Sequence, residues 1–378
     1  SLATGVSSQA IGDSSVAVGS LLTYDGLTYR TYAGGVGAAA FGPGAGAEGD
    51  YSLAAGARSD ASGISATAVG MGSIASGARS AALGASAEAD GDDSIAVGST
   101  AFALGKGASA IGSGAFALGE QSTASGYGST ADGQWGVAYG AGSDASGQSA
   151  TAIGAGALAS SGSATAMGGQ LDYSYLDAET HQYVVLTGTT AATGGAASAF
   201  GAGAQASGEL STALGTAASA SNLWSTAIGS RANAQGDSSL AVGESAQATG
   251  VESTAVGGSR PAGQALGHVS TSATGDFASA FGNASRATGI QATALGWNAT
   301  ATGVSATAAG ESAFANARRS SALGGSSFAN AEGATAIGYY TFALGEQSVA
   351  LGTGSVADRA NAVSVGAGEN MDGFAETR

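Results

Sequence analysis

Ser59-Asp-Ala-Ser-Gly63, followed by Ala66-Thr-Ala-Val-Gly70, holds the unit from which the whole chain is built. Each unit reads small-x-Ala-x-Gly-x-x, and the register is long. Glycine occupies every seventh position from Gly42 to Gly154, and alanine stands two residues ahead at every seventh position from Ala40 to Ala166. A steric demand repeated that faithfully is the mark of a solenoid whose coils stack on one another. Five residues of each unit alternate and two turn. Period-two alternation is a strand, so the Ser/Ala, Ala and Gly columns share one face and the x positions share the other. Ordinary sheets pack about 10 Å apart because larger side chains interdigitate, whereas walls of Ala, Ser and Gly come closer. The expected object is a flattened coil with a thin interior. The Gly column is expected to supply a left-handed corner conformation that only glycine reaches without cost, with Asn222 as a second-best left-handed substitute.

Successive units differ, and the true period is fourteen. In one series the residue before Gly is Val69, Leu83, Val97, Ile111, Tyr139, Ile153 and Met167, then Phe200, Leu214, Ile228, Val242 and Val256, then Phe281, Leu295, Leu323, Ile337 and Leu351. In the alternate series it is Ser62, Ser76, Asp90, Asp132, Ser146, Ser207 and similar polar residues. One coil therefore has two strands with different outer environments. The small residues of both face inward, so the apolar stripe points away from the coil's own core. A contiguous apolar stripe marks an interface. Ser125, and Ala55 and Ala309, interrupt the stripe. A thin Ala/Gly core buries little apolar area per coil, at about 25 cal/mol per Å², against the entropy of so much ordered backbone, so association is expected to supply the rest.

The 378 residues carry a formal charge of −16, and Lys106 is the sole lysine, which argues against nucleic-acid or anionic-membrane partners. No cysteine is present, which excludes a disulfide scaffold or thiolate metal site. No stretch approaches the roughly 18 apolar residues of a membrane span, and the N-terminus lacks the regions of a signal peptide. The expectation is a fragment that does not itself insert in a membrane, with export signal and anchor elsewhere in the parent protein.

The phase breaks divide the chain into a β-roll start at 1–19, an insertion at 20–37, β-roll at 38–168, an insertion at 169–193, β-roll at 194–257, a loop insertion at 258–274, β-roll at 275–366, and a junction at 367–378. Leu22-Thr-Tyr-Asp-Gly-Leu-Thr-Tyr29 reads as a hairpin about Asp25-Gly26. Leu171, Tyr173 and Tyr175, then Asp177-Ala-Glu-Thr180, then Tyr183-Val-Val-Leu186 read as a second. The stretch with Pro261 reads as a loop that lengthens its coil by four residues between Gly257 and Gly275. Insertions in solenoids map to the surface and often to a binding face.

Ser94-Ile-Ala-Val-Gly98, Thr335-Ala-Ile-Gly338 and Asn361-Ala-Val-Ser-Val-Gly366 resemble the repeats of trimeric autotransporter adhesin heads of the YadA type, over about residues 3 to 366. The resemblance implies an all-β, left-handed parallel β-roll with three chains in one head. It places Val69, Leu83, Val97, Ile111, Ile153, Leu214, Ile228, Val242, Val256, Leu295, Leu323, Ile337 and Leu351 at a homotrimer interface. It further implies attachment to host cells or extracellular matrix from a bacterial surface, with an outer-membrane anchor outside this sequence. Asn361–Gly366 is similar to the family's head-to-neck junction, and the neck itself is absent.

No catalytic or metal site is expected and no cofactor. His181 and His268 lie on different insertions, Gly44-Ala-Gly46 lacks the strand-to-helix setting of a phosphate loop, and Asp90-Gly91 and Asp132-Gly133 do not follow the calcium nonapeptide. Candidate ligand contacts are the aromatic breaks in the polar series: Phe102, Leu104, Phe116 and Leu118 form one patch, and Phe314, Phe328, Phe342 and Leu344 another. The alternative for both is packing against a neighbouring protomer. Trp135, Trp224 and Trp297 fall on turns. Two rival functions are weighed. A left-handed β-helix acyltransferase repeats every six residues, against seven here. An ice-binding solenoid is suggested by the file of Thr67, Thr151, Thr165, Thr212, Thr226, Thr254, Thr293, Thr307 and Thr335, which shares the face of the apolar stripe.

Overall fold

The computed structural model describes residues 1–176, 183–259 and 269–366. Among these there is no helix; the described chain is parallel β-solenoid with two antiparallel hairpins. It divides into two compact units, Ser1–Gln170 with Thr189–Ala196, and Leu171–Gly188 with Ala197–Arg378. Each unit is built the same way. A three-residue strand and a two-residue strand alternate along the chain, and each kind stacks in parallel on its own kind. In the first unit Thr67 pairs with Ala81 and Asp60 with Ile74; in the second Thr212 pairs with Thr226 and Gln205 with Ser219. Each of these pairs is one fourteen-residue coil apart, so the period read from the apolar series is the coil.

Alternation decides what lies inside. Ala68, Ala82 and Ala96 on the long strands and Ala61, Ala75 and Ala89 on the short ones are fully buried. The largest fully buried side chains are only threonines, Thr31, Thr190, Thr271 and Thr341. Inward serines find two environments. Before the short strands, Ser73 and Ser143 donate to the carbonyls of Gly70 and Gly140 at 3.0 and 2.8 Å. Before the long strands, Ser94 and Ser122 are buried with hydroxyls that have no partner.

The corners correct the expected role of glycine, because the two Gly columns serve different needs. After the long strands, from Gly42 to Gly338, φ lies between 115° and 155°, a region closed to side chains, and every coil keeps glycine there. After the short strands φ is not positive, and the constraint is approach: a Cβ on Gly63 would stand 2.0 Å from the Gly77 carbonyl oxygen. Asn222 belongs to this second column and is not left-handed. It replaces glycine at a site of close packing, as do Ser161 and Ala317.

The left-handed residue stands two positions after each corner glycine. The N–H of Ser80 donates to the Gly77 carbonyl at 3.2 Å, closing a four-residue turn whose third residue, Arg79, has φ of 59°. That is a type II turn, which ordinarily asks for glycine at the third place. Here Arg79, Gln121, Trp135, Leu210 and Phe277 accept it, at about 1 to 2 kcal/mol each. Stacking holds Arg79, Gln121, Trp135 and Phe277, whose N–H groups donate to the carbonyls of Ile64, Lys106, Glu120 and Val251 in the preceding coil at 2.7 to 2.9 Å.

All three interruptions occur at the same place in the repeat, after a long strand and before a short one. The first lies between Val16–Val18 and Tyr32–Ala33, the second between Thr165–Met167 and Ala191–Ala192, the third between Thr254–Val256 and Ser272–Ala273. The coil resumes at Tyr32, Ala191 and Ser272, inside the stretches 20–37, 169–193 and 258–274, because the strand re-forms before the glycine column returns. The third coil is lengthened by more than four residues, since Val251 and Asp276, one coil apart, are separated by 25 in sequence. The first insertion is a hairpin, Leu22–Tyr24 with Leu27–Tyr29, whose Asp25 and Gly26 have φ of 48° and 74°, a primed two-residue turn. The second pairs Leu171–Leu176 with Tyr183–Gly188.

One residue type closes every interruption. The first inward residue after it is threonine; in the uninterrupted coils this column holds Ser or Ala except at Thr341. Thr31 donates its hydroxyl toward the carbonyls of Gly42 at 2.8 Å and Ser20 at 3.2 Å, Thr271 toward Gly282 at 2.8 Å and Gly258 at 2.9 Å, and Thr190 toward Gly169 at 3.0 Å. Each hydroxyl ties the residue where the coil was left to the residue where it resumes.

Candidate functional site: two outer faces and a corner

The long strands turn the apolar column outward. In the single chain Val69, Leu83, Ile111, Leu214, Ile228, Leu295, Leu323, Ile337 and Leu351 are exposed, Leu295 by 52%, and Val97, Ile153, Val242 and Val256 are half-buried. Successive members are registered one coil apart, as Val69 with Leu83, Val97 with Ile111 and Leu214 with Ile228. Thr67, Thr151 and Thr212 lie two residues before members of this column, on the same face and half-buried.

The short strands carry the two phenylalanine groups. Phe102 and Phe116 are paired on adjacent coils with ring centroids 5.1 Å apart and planes 5° apart, beside the exposed Leu104 and Leu118. Phe314 and Phe328 stack at 5.0 Å and 7°, Phe328 and Phe342 are tilted at 6.1 Å, and Tyr340 meets Phe342 edge-on at 5.0 Å, with Leu344 exposed nearby. The structure thus gathers the two groups named from sequence into two separate stacks.

Carboxylates flank the first stack. Glu88 precedes Phe102 by one coil and Asp132 follows Phe116 by about one. Desolvation, then the hydrogen bond and charge of Asp90, raises the Glu88 carboxyl above its ordinary range; desolvation and the charge of Asp144 raise Asp132. Asp60 is raised in the same way by desolvation and the charge of Glu48. At the corner after the short strands, Asp50, Asp92 and Asp276 each accept the backbone N–H of Val36, Ala78 or Val251 one coil back, at 2.8 to 3.0 Å. There Arg79 and Asp93 form a two-pronged ion pair at 2.5 and 2.7 Å, which holds the Asp93 carboxyl below its ordinary range. Trp135, exposed by 48%, donates to Gln121 at 2.8 Å; Trp224 and Trp297 are exposed at their turns.

The opposite corner carries the insertions, and each described hairpin leaves a cavity beside it. Arg58 lies between Tyr24 and Tyr29 of the first hairpin, with its guanidinium carbon 4.6 and 4.7 Å from the two ring centroids. The sequence reading did not single out Arg58, the threonine ties or the left-handed positions. Thr31, Thr190 and Thr271 lie inside the phase breaks drawn from sequence, and the partnership of Arg58 with a hairpin more than one coil earlier leaves no mark in the repeat.

Among the described residues no three His, Asp or Glu side chains group as metal ligands would. His181 and His268, the residues of Asp177-Ala-Glu-Thr180 and Pro261, and the junction at 367–378 lie outside the described residues.

The comparison with protein families matches the YadA head domain repeat over residues 1–21, 33–59, 61–87, 89–115, 117–143, 145–170, 192–218, 206–232, 234–259, 273–299, 301–327, 315–341 and 343–368. Apart from single residues between successive copies, the unmatched stretches fall in the three insertions and at the end of the chain. No curated protein matches the sequence. Among solved structures, the crystal structure of the collagen-binding domain of Yersinia adhesin YadA is 21% identical over 56% of this chain and 87% of that chain, with a TM-score of 0.26. Matched by the repeat model across far more than half its length, the chain belongs to the family of YadA head domain repeats.

Proposed function

We propose that this chain is the adhesive head of a homotrimeric protein of the bacterial surface, held to the outer membrane by another part of its parent and attaching the cell to host surfaces or extracellular matrix. It acts by binding and carries out no catalysis. The roll is left-handed, as the family resemblance implies. The observation that carries the assembly is the outward apolar column of the long strands. Val69, Leu83, Ile111, Leu214, Ile228 and their neighbours repeat coil after coil with no intrachain cover. An exposed stripe of that continuity is covered by another copy of itself more economically than by anything else, because each copy brings the same period.

Mass by light scattering tests this directly. A trimer is expected, and a monomer would instead favour the ice-binding reading of the threonine file. Val97→Asp with Ile228→Asp should convert the trimer to unfolded or aggregated chain, since each aspartate would be buried without a partner at a cost of several kcal/mol. A stably folded monomer in that variant would remove the interface assignment.

A further inference from the structure

We propose that the cleft between the first hairpin and the short-strand face binds a neutral hexose residue of a glycan. The proposal names a ligand for the adhesive reading and rests on that reading, but not on the trimer. The cavity has a volume of about 320 Å³, within the size of small-ligand sites. Tyr29 and Arg30 come from the hairpin, Tyr32 from the strand where the coil resumes, Arg58 from a later corner, and Glu48 and Asp60 from the short-strand face.

Three features make this a built site. Its depth comes from glycines: Gly44, Gly46 and Gly72 stand where other coils place side chains, and a Cβ on Gly44 would meet the Tyr29 Cβ at 2.7 Å. One wall is fixed in advance, because the Arg58 guanidinium is held between two tyrosine rings while its Nε is buried and without a hydrogen-bond partner. Arginine held between ring faces is oriented before a ligand arrives. Finally, the charges balance. Two guanidiniums, Arg30 and Arg58, face two carboxylates, Glu48 and Asp60, and among the described residues neither arginine forms an ion pair.

That balance selects the ligand class. An anionic sugar would satisfy the arginines and oppose the carboxylates; a cationic side chain would do the reverse. A neutral sugar has adjacent hydroxyls, each of which both donates and accepts, so it can give to the carboxylates and receive from the guanidiniums at once. Its apolar ring face suits a rim of tyrosines. The Asp60 carboxyl, raised by its surroundings and by Glu48, is a group that gains from new donors. The cavity beside the second hairpin has the opposite character. It is about 430 Å³, lined by Leu171, Tyr173 and Leu186, and its Arg231 is engaged by Glu244 at 2.6 Å. It serves as an internal control.

Saturation-transfer NMR on the full chain, with methyl glycosides of glucose, galactose, mannose and N-acetylglucosamine as probes, tests the inference. At least one should receive magnetisation, and Glu48→Gln with Asp60→Asn should weaken its binding by about tenfold, as expected when charge-assisted hydrogen bonds are lost. Arg58→Gln should weaken it comparably, and Leu186→Ser at the second hairpin should leave it unchanged. Unchanged far-UV circular dichroism shows that these surface variants keep the fold. No transfer to any neutral glycoside would overturn the proposal, as would binding confined to sialylated or sulfated sugars, or equal binding by the carboxamide variant. A monomer that binds these sugars would remove the trimer and leave the site standing; adhesion to matrix without sugar binding would do the reverse.

Discussion

A Cβ placed on Gly84 would stand 2.3 Å from the carbonyl oxygen of Gly98, one coil further along the same column. The φ of Gly84, 146°, would be strained for any side chain even with the space free. Gly84→Val therefore meets two obstacles, one from backbone conformation and one from the next coil, and is expected to cost on the order of 3 kcal/mol or more. Ser62→Val, on the outer face of a short strand, should change stability by less than about 0.5 kcal/mol. Thermal unfolding of the two variants checks this, and equal effects would mean that inner and outer faces are reversed.

The buried serines give a finer test of the interior. Ser94→Ala removes a hydroxyl that is buried and has no partner, so it should be neutral or stabilising. Ser73→Ala removes a hydroxyl that donates to the Gly70 carbonyl, and should cost about 1 kcal/mol. Chemical denaturation of both variants would expose an error in the hydrogen-bond assignment if Ser94→Ala proved the more costly.

How much of this the sequence could reveal follows from what a repeat encodes. A seven-residue register reports the steric rule that every coil obeys, so the strands, the fully buried Ala68 and Ala75 and the outward Val69 and Leu83 are legible in the sequence alone. What depends on the join between coils was not. Asn222 and Gly84 occupy equivalent places in the seven-residue unit, yet one has no positive φ and is packed close against the neighbouring coil while the other has φ of 146°. Only the fourteen-residue coil tells them apart. The left-handed turn residue escaped for the same reason: Arg79, Trp135 and Phe277 have nothing in common as amino acids, and what fixes them is a hydrogen bond to the preceding coil. The aromatic stacks were half legible. A column places Phe102 and Phe116 together, but the enclosure of Arg58 by Tyr24 and Tyr29 needs the hairpin folded back on its corner.

The carboxylates predict an unusual response to pH. Asp60, Glu88 and Asp132 have folded-state values raised above the ordinary range. Between the ordinary and the raised values the folded chain holds more protons than the unfolded one, so stability falls as pH rises through this window. The contribution is fully present below the ordinary carboxylate range, about pH 4, and absent above the raised values. Asp93 has the opposite sign, since Arg79 lowers it, and its small contribution is lost as pH falls through its folded value. Replacing Asp60 and Asp132 by Asn and Glu88 by Gln should raise the thermal midpoint at neutral pH and flatten its pH dependence. A triple variant with an unchanged slope would refute the link between these groups and stability.

The Phe102–Phe116 stack separates adhesion from assembly. The rings lie on the short strands, whereas the column proposed to join protomers lies on the long ones, and Phe116 keeps 37% of its surface exposed. Changing both to Ser should therefore cost only the stacking and partial burial, about 1 to 2 kcal/mol, and leave the mass of the proposed assembly unaltered. If this patch anchors a partner, binding to a matrix-coated surface should fall at a temperature where the variant is fully folded. If the rings pack between protomers instead, the same change should lower the melting temperature steeply by opening a cavity, and adhesion should vanish only as the head unfolds. Measuring mass, melting and adhesion on one preparation decides the matter. Unchanged melting with unchanged adhesion would remove both roles for the stack and leave attachment to the insertion corner.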